Sequence, residues 1–242
     1  MRKKIKIWGT ILFLIGIVCA ASVLSGYGSE EIESDVRKIK DEAAVYSYRP
    51  KVQEEVKDDR LVVCIDPGHG GKDPGALAGK KMEKDENLKL ALKVKKQLEK
   101  NNIQVILTRD DDSFVSLKKR AKIANQAEAD LFVSLHRNYL EAYPEVNGVD
   151  IYINYAGTDE DYKIGDALYK ELSAVNGIKV NETKLGSATD TKENYTVVER
   201  TKMTACLIEM GYMSNKKDNM YFEDYINSYS IAITEAIVSY LQ

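Results

Sequence analysis

Residues 129–136, ADLFVSLH, are the stretch that most restricts the fold, because Leu131, Phe132, Val133 and Leu135 follow one another without in-out alternation. A strand with that pattern is stable only when both of its faces are covered, which places it in the middle of a sheet with helices on either side. The surrounding sequence supplies the other layers. Apolar runs at 61–66 (LVVCID), 103–109 (IQVILTR), 149–155 (VDIYINY) and 204–210 (TACLIEM) read as further strands. Between them, residues 83–100 place Leu88, Ala91, Leu92 and Leu98 at helical spacing with lysines on the other face. Residues 116–129 form a second helix with Ser116 as N-cap, residues 159–174 a third, and YSIAITEAIVSYL a closing one. The polar residues 181–194 read as a surface loop. The expectation is an α/β fold: one domain, residues 61–242, with a mostly parallel central sheet flanked by helices.

The chain begins differently. Arg2, Lys3, Lys4 and Lys6 precede the uncharged apolar stretch 7–24, so residues 1–27 read as a signal peptide or a membrane anchor, with an uncleaved anchor slightly favoured. Val18 stands where a lipoprotein signal at Cys19 wants a small residue, which argues against that processing. Residues 28–60 are rich in charge and poor in apolar periodicity, as in a linker. Positive charge stays inside, so the domain is expected outside the cytoplasm, attached to the membrane through this segment or secreted. With the four N-terminal cations set aside from the 35 Lys and Arg, 31 basic residues face 38 acidic ones, a net charge of −7, which disfavours nucleic acid as a partner. Cys64 and Cys206 lie inside strand-like runs and read as buried thiols, not as a disulfide framework.

The chemistry gathers at strand ends. In an open parallel sheet ligands bind beyond the carboxyl ends of the strands. His69, His136 and Glu209 each close or follow a strand, and the chain has only two histidines. Two neutral imidazoles at one sheet edge suit a metal, and a hydrolytic zinc centre commonly adds one carboxylate and leaves a position open. Glu83 and Glu86, at the start of the first helix, both qualify, and spacing does not choose between them. The glycine-rich loop CIDPGHGGKDPGA is no phosphate cradle, since Asp73 follows Lys72 where a P-loop needs Ser or Thr. A dinucleotide fingerprint would need glycine at Asp73, and no HExxH is present.

Four blocks, VVCIDPGHGGKDPGA, MEKDENLKLALKVKKQLE, VILTRDDDSFVSLKKRAKIANQAEADLFVSLHRN and ACLIEMGYMSN, resemble in order and spacing the zinc-dependent N-acetylmuramoyl-L-alanine amidases of bacterial cell walls, of the Amidase_3 type. The resemblance covers nearly all of residues 61–242. It implies zinc (Zn2+) held by His69, Glu83 and His136, selecting Glu83 over Glu86, with Glu209 as the catalytic residue. The implied reaction is hydrolysis of the amide joining N-acetylmuramic acid to L-alanine in peptidoglycan. Zinc-activated water attacks the lactyl carbonyl, and Glu209 serves as general acid and base.

Asp66 is a candidate to orient His69 through its second ring nitrogen. Arg109, Arg120, Asn125 and Asn138 match family positions and are expected to make buried hydrogen bonds. Three departures from the family pattern bear on substrate preference: Arg137 for a small residue, Thr204 for a common proline, and the polar wording of 187–194. Two other functions compete, a peptidoglycan-binding module without catalysis and a zinc peptidase acting within the stem peptide. The intact set His69, Glu83, His136 and Glu209 argues against the first. The residues do not reveal whether a protein activator is needed.

Overall fold

The computed structural model describes residues 59–242 and, in isolation, Arg37. The calls on residues 1–27 and on nearly all of 28–60 lie outside the described residues, and no helix among those described is long and apolar enough to cross a membrane.

The expected α/β architecture is present. Strands β1 (Val62–Pro67), β4 (Gln104–Leu107), β5 (Leu131–Asn138), β6 (Val149–Ile153), β7 (Val180–Leu185) and β8 (Thr204–Tyr212) form one sheet in the order β4-β1-β5-β8-β6-β7. A two-stranded ribbon, β2 (Leu77–Ala78) with β3 (Lys81–Met82), sits apart in the glycine-rich loop. All pairs in the large sheet are parallel except β6 with β8. That reversal brings the start of β6 to the edge where β1, β5 and β8 end.

The helices are α1 (Glu83–Lys100), α2 (Leu117–Gln126), α3 (Asp159–Ser173), α4 (Thr196–Arg200) and α5 (Lys216–Leu241). They cover the two faces unequally. Val63, Ile65, Leu131, Val133, Leu135, Ile151 and Ile208 pack against α1, α3 and α5 in the larger core. Cys64, Phe132, Tyr152, Ala205 and Leu207 form a smaller core with Ala124 of α2, Val197 and Val198 of α4, and Ala129, Tyr195 and Met203 from the adjoining loops. The sparser cover on this second face leaves its carboxyl edge for chemistry. β5, apolar on both faces, is the shared wall of the two cores, as its sequence requires.

Several local expectations are corrected. The buried stripe of α1 runs through Asn87, Leu90, Ala91, Val94 and Leu98, while Leu92 faces solvent. The closing helix begins at Lys216, well before Tyr229, where Asn215 caps it by accepting from the backbone of Lys217 and Asp218. Ser116 holds the N-cap position of α2 but makes no side-chain cap hydrogen bond. The polar stretch 181–194 is only partly loop, since Val180–Leu185 is the edge strand β7. An edge strand with solvent on one side has little need of apolar residues, so its polarity mimics a loop.

A charged knot under the second core fixes the ends of β1 and β5. Asp66 is fully buried; its Oδ1 accepts from Arg120 at 2.6 Å and from Thr108 at 2.5 Å, and its Oδ2 accepts from Ser134 at 2.7 Å. Arg120 also donates to the carbonyls of Val115, Pro67 and His69, and Arg109 to those of Pro67, Gly68, Lys84 and Asp111. The hydrogen-bonding roles expected of these arginines are therefore met, and both of them grip the loop that carries His69. Asn125 bridges the carbonyl of Arg200 and the N–H of Lys202, tying α2 to α4. Arg120→Met would strand the Asp66 charge. It is expected to cost about 3–5 kcal/mol, measured by urea unfolding against the parent.

Candidate active site and metal centre

β1 delivers His69 through a tight turn in which His69 itself adopts φ 60°, a left-handed conformation that costs a residue bearing a Cβ. The arginine bonds to the carbonyls on either side hold it there. Two glycines make room for what lies beside it. A Cβ on Gly68 would fall 2.3 Å from the His136 imidazole, and one on Gly75 would fall 2.5 Å from Glu83 Oε2 and 2.7 Å from the His69 ring. Side-chain bulk is absent where the two histidines and the carboxylate converge.

The convergence is tight. Ligand atoms of His69, Glu83 and His136 all lie within 4.8 Å of one another. His69 Nε2 is 3.1 Å from Glu83 Oε2, His136 Nδ1 is 2.9 Å from Glu83 Oε1, and the ring centroids are 4.9 Å apart, edge to face. Glu83 is fixed from behind: its Oε1 accepts from Asn87 Nδ2 at 3.1 Å and from the Arg137 N–H at 3.0 Å, and its Oε2 from the Ala76 N–H at 2.9 Å. Burial opposes ionising Glu83, but hydrogen bonds from His136 and His69 reverse that and hold it far below the ordinary carboxylate range. Burial likewise opposes charging His136, yet Glu83 outweighs it and raises the imidazole to about 9; His69 is raised for the same reasons. The cluster is built to hold positive charge. Two imidazoles and one carboxylate, brought together with their ligand atoms within 4.8 Å of one another, are a donor set that fits a zinc ion with a coordination position to spare.

Glu86 is not part of it. Its carboxylate pairs with the fully buried Arg137, which also donates to Asn219 Oδ1 at 3.1 Å and stacks over Phe222, 4.2 Å from the ring centre. Arg137 therefore projects into the α1–α5 side of β5, away from His136, and the departure at this position braces helices instead of touching substrate. Thr204 begins β8, at the opposite end from Glu209. Of the three departures, Arg137 reaches the site only through its backbone N–H, which donates to Glu83 Oε1, while 187–194 lies against Tyr195, whose Oη accepts from the Ala188 N–H at 3.3 Å and whose ring packs on Tyr152. Asn138 accepts from the Tyr139 N–H and takes no part in the cluster.

Asp66 does not orient His69, because both of its oxygens are engaged by Arg120, Thr108 and Ser134. Asp73 does so, with Oδ2 2.9 Å from His69 Nδ1. The signal was present in the sequence: an acid four residues after the histidine, inside a loop that the glycines fold back on itself, with Gly70 and Asp73 exchanging backbone hydrogen bonds.

Glu209 stands beside His136, its cross-strand partner in the β5–β8 pair. It is 8% exposed, and among the buried side-chain nitrogens and oxygens of the described residues its Oε2 alone lacks a hydrogen-bond partner. Burial, opposed by His136 and reinforced by Glu83 and Asp150, raises its pKa to about 7. A carboxylate able to take and return a proton near neutrality thus borders the donor set. Asp150, the antiparallel partner of Glu209, was missed in the sequence, where its mark is a lone acid at the head of the apolar strand VDIYI.

A family model described as N-acetylmuramoyl-L-alanine amidase matches residues 63–239. The chain belongs to that family. It is 34% identical over 168 residues to the probable cell wall amidase LytH of Staphylococcus aureus, a match covering 68% of this chain and 52% of the relative. It thus spans about half the length of the curated relatives it matches. Among solved structures, the amidase AmiC2 of Nostoc punctiforme superposes with a TM-score of 0.68 at 36% identity, covering 75% of this chain and 97% of that one. The catalytic domain of CwlV from Bacillus (Paenibacillus) polymyxa var. colistinus gives 0.67 at 34% identity, covering 75% and 98%.

Two outcomes test this geometry. Asp73→Ala or Asn87→Ala is expected to weaken zinc binding about 10–100-fold, measured by competition with a chromogenic chelator. The second concerns Glu209 in metal-free protein. A carboxyl whose pKa rises from 4.5 unfolded to about 7 folded destabilises the fold as it ionises, so the cost is absent below pH 4.5 and complete above pH 7. Glu209→Gln should therefore exceed the parent in stability by on the order of 3 kcal/mol at pH 8, the gap closing as the pH falls towards 4.5, read from urea unfolding with chelator present.

Proposed function

We propose that the chain is an extracytoplasmic zinc hydrolase that cleaves the amide between N-acetylmuramic acid and L-alanine in peptidoglycan, held at the membrane by residues 1–27 or released from it. The observation that supports this best is the pairing of a two-histidine, one-glutamate donor set with an adjacent buried carboxylate, Glu209, that has one unpartnered oxygen. Family membership supplies the substrate class.

Zinc, when bound by His69, Glu83 and His136, supplies a Lewis acid for the lactyl carbonyl and for the water that attacks it. The remaining work falls to the chain. Glu209 takes a proton from the attacking water through its free oxygen and delivers it to the nitrogen of the departing L-alanine, which could not leave as an amide anion. Its burial keeps it dry enough to hold that proton near neutral pH, and the β5–β8 register keeps it beside His136. Asp73 and Asn87 orient His69 and Glu83, so the ligands need little rearrangement on loading.

Purified protein is expected to release stem peptides from peptidoglycan sacculi, leaving free lactyl ends on the glycan by mass spectrometry, and to stop when zinc is chelated. Glu209→Gln should retain bound zinc while losing about 10²–10⁴-fold in kcat. Cuts between amino acids would identify a peptidase instead, and full activity in Glu209→Gln would remove that residue from the mechanism.

A further inference from the structure

The polar side chains of the site continue beyond Glu209. His136 on β5, Glu209 on β8 and Asp150 on β6 are successive cross-strand neighbours on one face, and β7 adds Asn181 and Lys184. Lys184 starts opposite Tyr152, passes its ring with Nζ 5.4 Å from the centroid, and donates to Asp150 Oδ1 at 2.6 Å. Asp150 is wholly buried, whereas the Lys184 side chain is 41% exposed.

Lys184 is not the sole donor to Asp150. Asn181 Nδ2 donates to the same Oδ1 at 2.9 Å, and Tyr212 Oη donates to Oδ2 at 2.7 Å. An ammonium carries three N–H donors, so the exposed part of Lys184 has capacity for a second anion. Lys84, Arg109 and Arg120, which grip the loop of His69, are by contrast buried, Lys84 against Asp112 and the Gly71 carbonyl and the two arginines against carbonyls and Asp66.

The position of Lys184 matches the substrate. β7 lies two strand spacings from β8, about 10 Å, which an extended peptide crosses in about three residues. On a path from Glu209 across β6, the row of polar side chains that leads to β7, the second or third residue of a peptide reaches Lys184. In peptidoglycan the residue after L-alanine is a D-glutamyl unit whose α-carboxyl is either free or amidated. We infer that Lys184, anchored by Asp150, is a specificity-determining residue that binds this free carboxylate and favours acidic over amidated stem peptides. This rests on the amidase function proposed above.

The test uses the zinc-loaded full chain and two disaccharide-tripeptide substrates that differ only in whether the second-residue α-carboxyl is free or amidated. The parent is expected to favour the free acid by about tenfold in kcat/KM, expressed in KM. Lys184→Gln should abolish that preference, and Lys184→Arg should retain it. An unchanged preference in Lys184→Gln, an equal loss on both substrates, or no preference in the parent would each overturn the assignment of Lys184. Failure of the parent to cleave either substrate would overturn the amidase function itself, and this assignment with it.

Discussion

The parallel register of β5 with β8 is the constraint on which the site depends. It sets His136 directly beside Glu209, so that the proposed metal ligand and the proposed proton carrier share one face at one height. Because side chains alternate along a strand, a slip of one residue would send Glu209 into the α1–α5 core and replace it with an aliphatic neighbour. The register is locked by apolar packing on both sides of β5, and the two cores therefore specify catalytic geometry as well as stability.

Charge is the second organising principle. Three of the buried carboxylates near the site have different fates. Asp66 is saturated by Arg120, Thr108 and Ser134 and acts as a strut; Glu83 is clamped between two imidazoles and remains ionised; Glu209 retains one free oxygen and a pKa near neutrality. Three residues of nearly the same chemistry thus take three roles because of the donors that surround them.

Much of this was legible in the sequence. The helix and strand order follows from periodicity, and the two histidines and Glu209 mark themselves by standing at strand ends. What escaped has physical reasons. Asp73 reaches His69 only because the glycines fold the loop back. Asp150 joins the site from the first turn of a strand that runs against its neighbours, which a list of carboxyl-end residues overlooks. Arg137 read as a departure bearing on substrate because its partner Glu86 lies fifty-one positions away. The strand β7 resembled a loop because its residues are mostly polar and none of them is fully buried.

Gly68 and Gly75 have one more implication. Each is defined by the volume of a metal ligand from another part of the chain, His136 in one case and Glu83 in the other. The loop is therefore a mould around groups that come from β5 and α1, and its shape depends on those elements. Grafted alone onto another scaffold, the same thirteen residues would lack the walls that give them form, and the histidine they carry would be an ordinary imidazole in solvent.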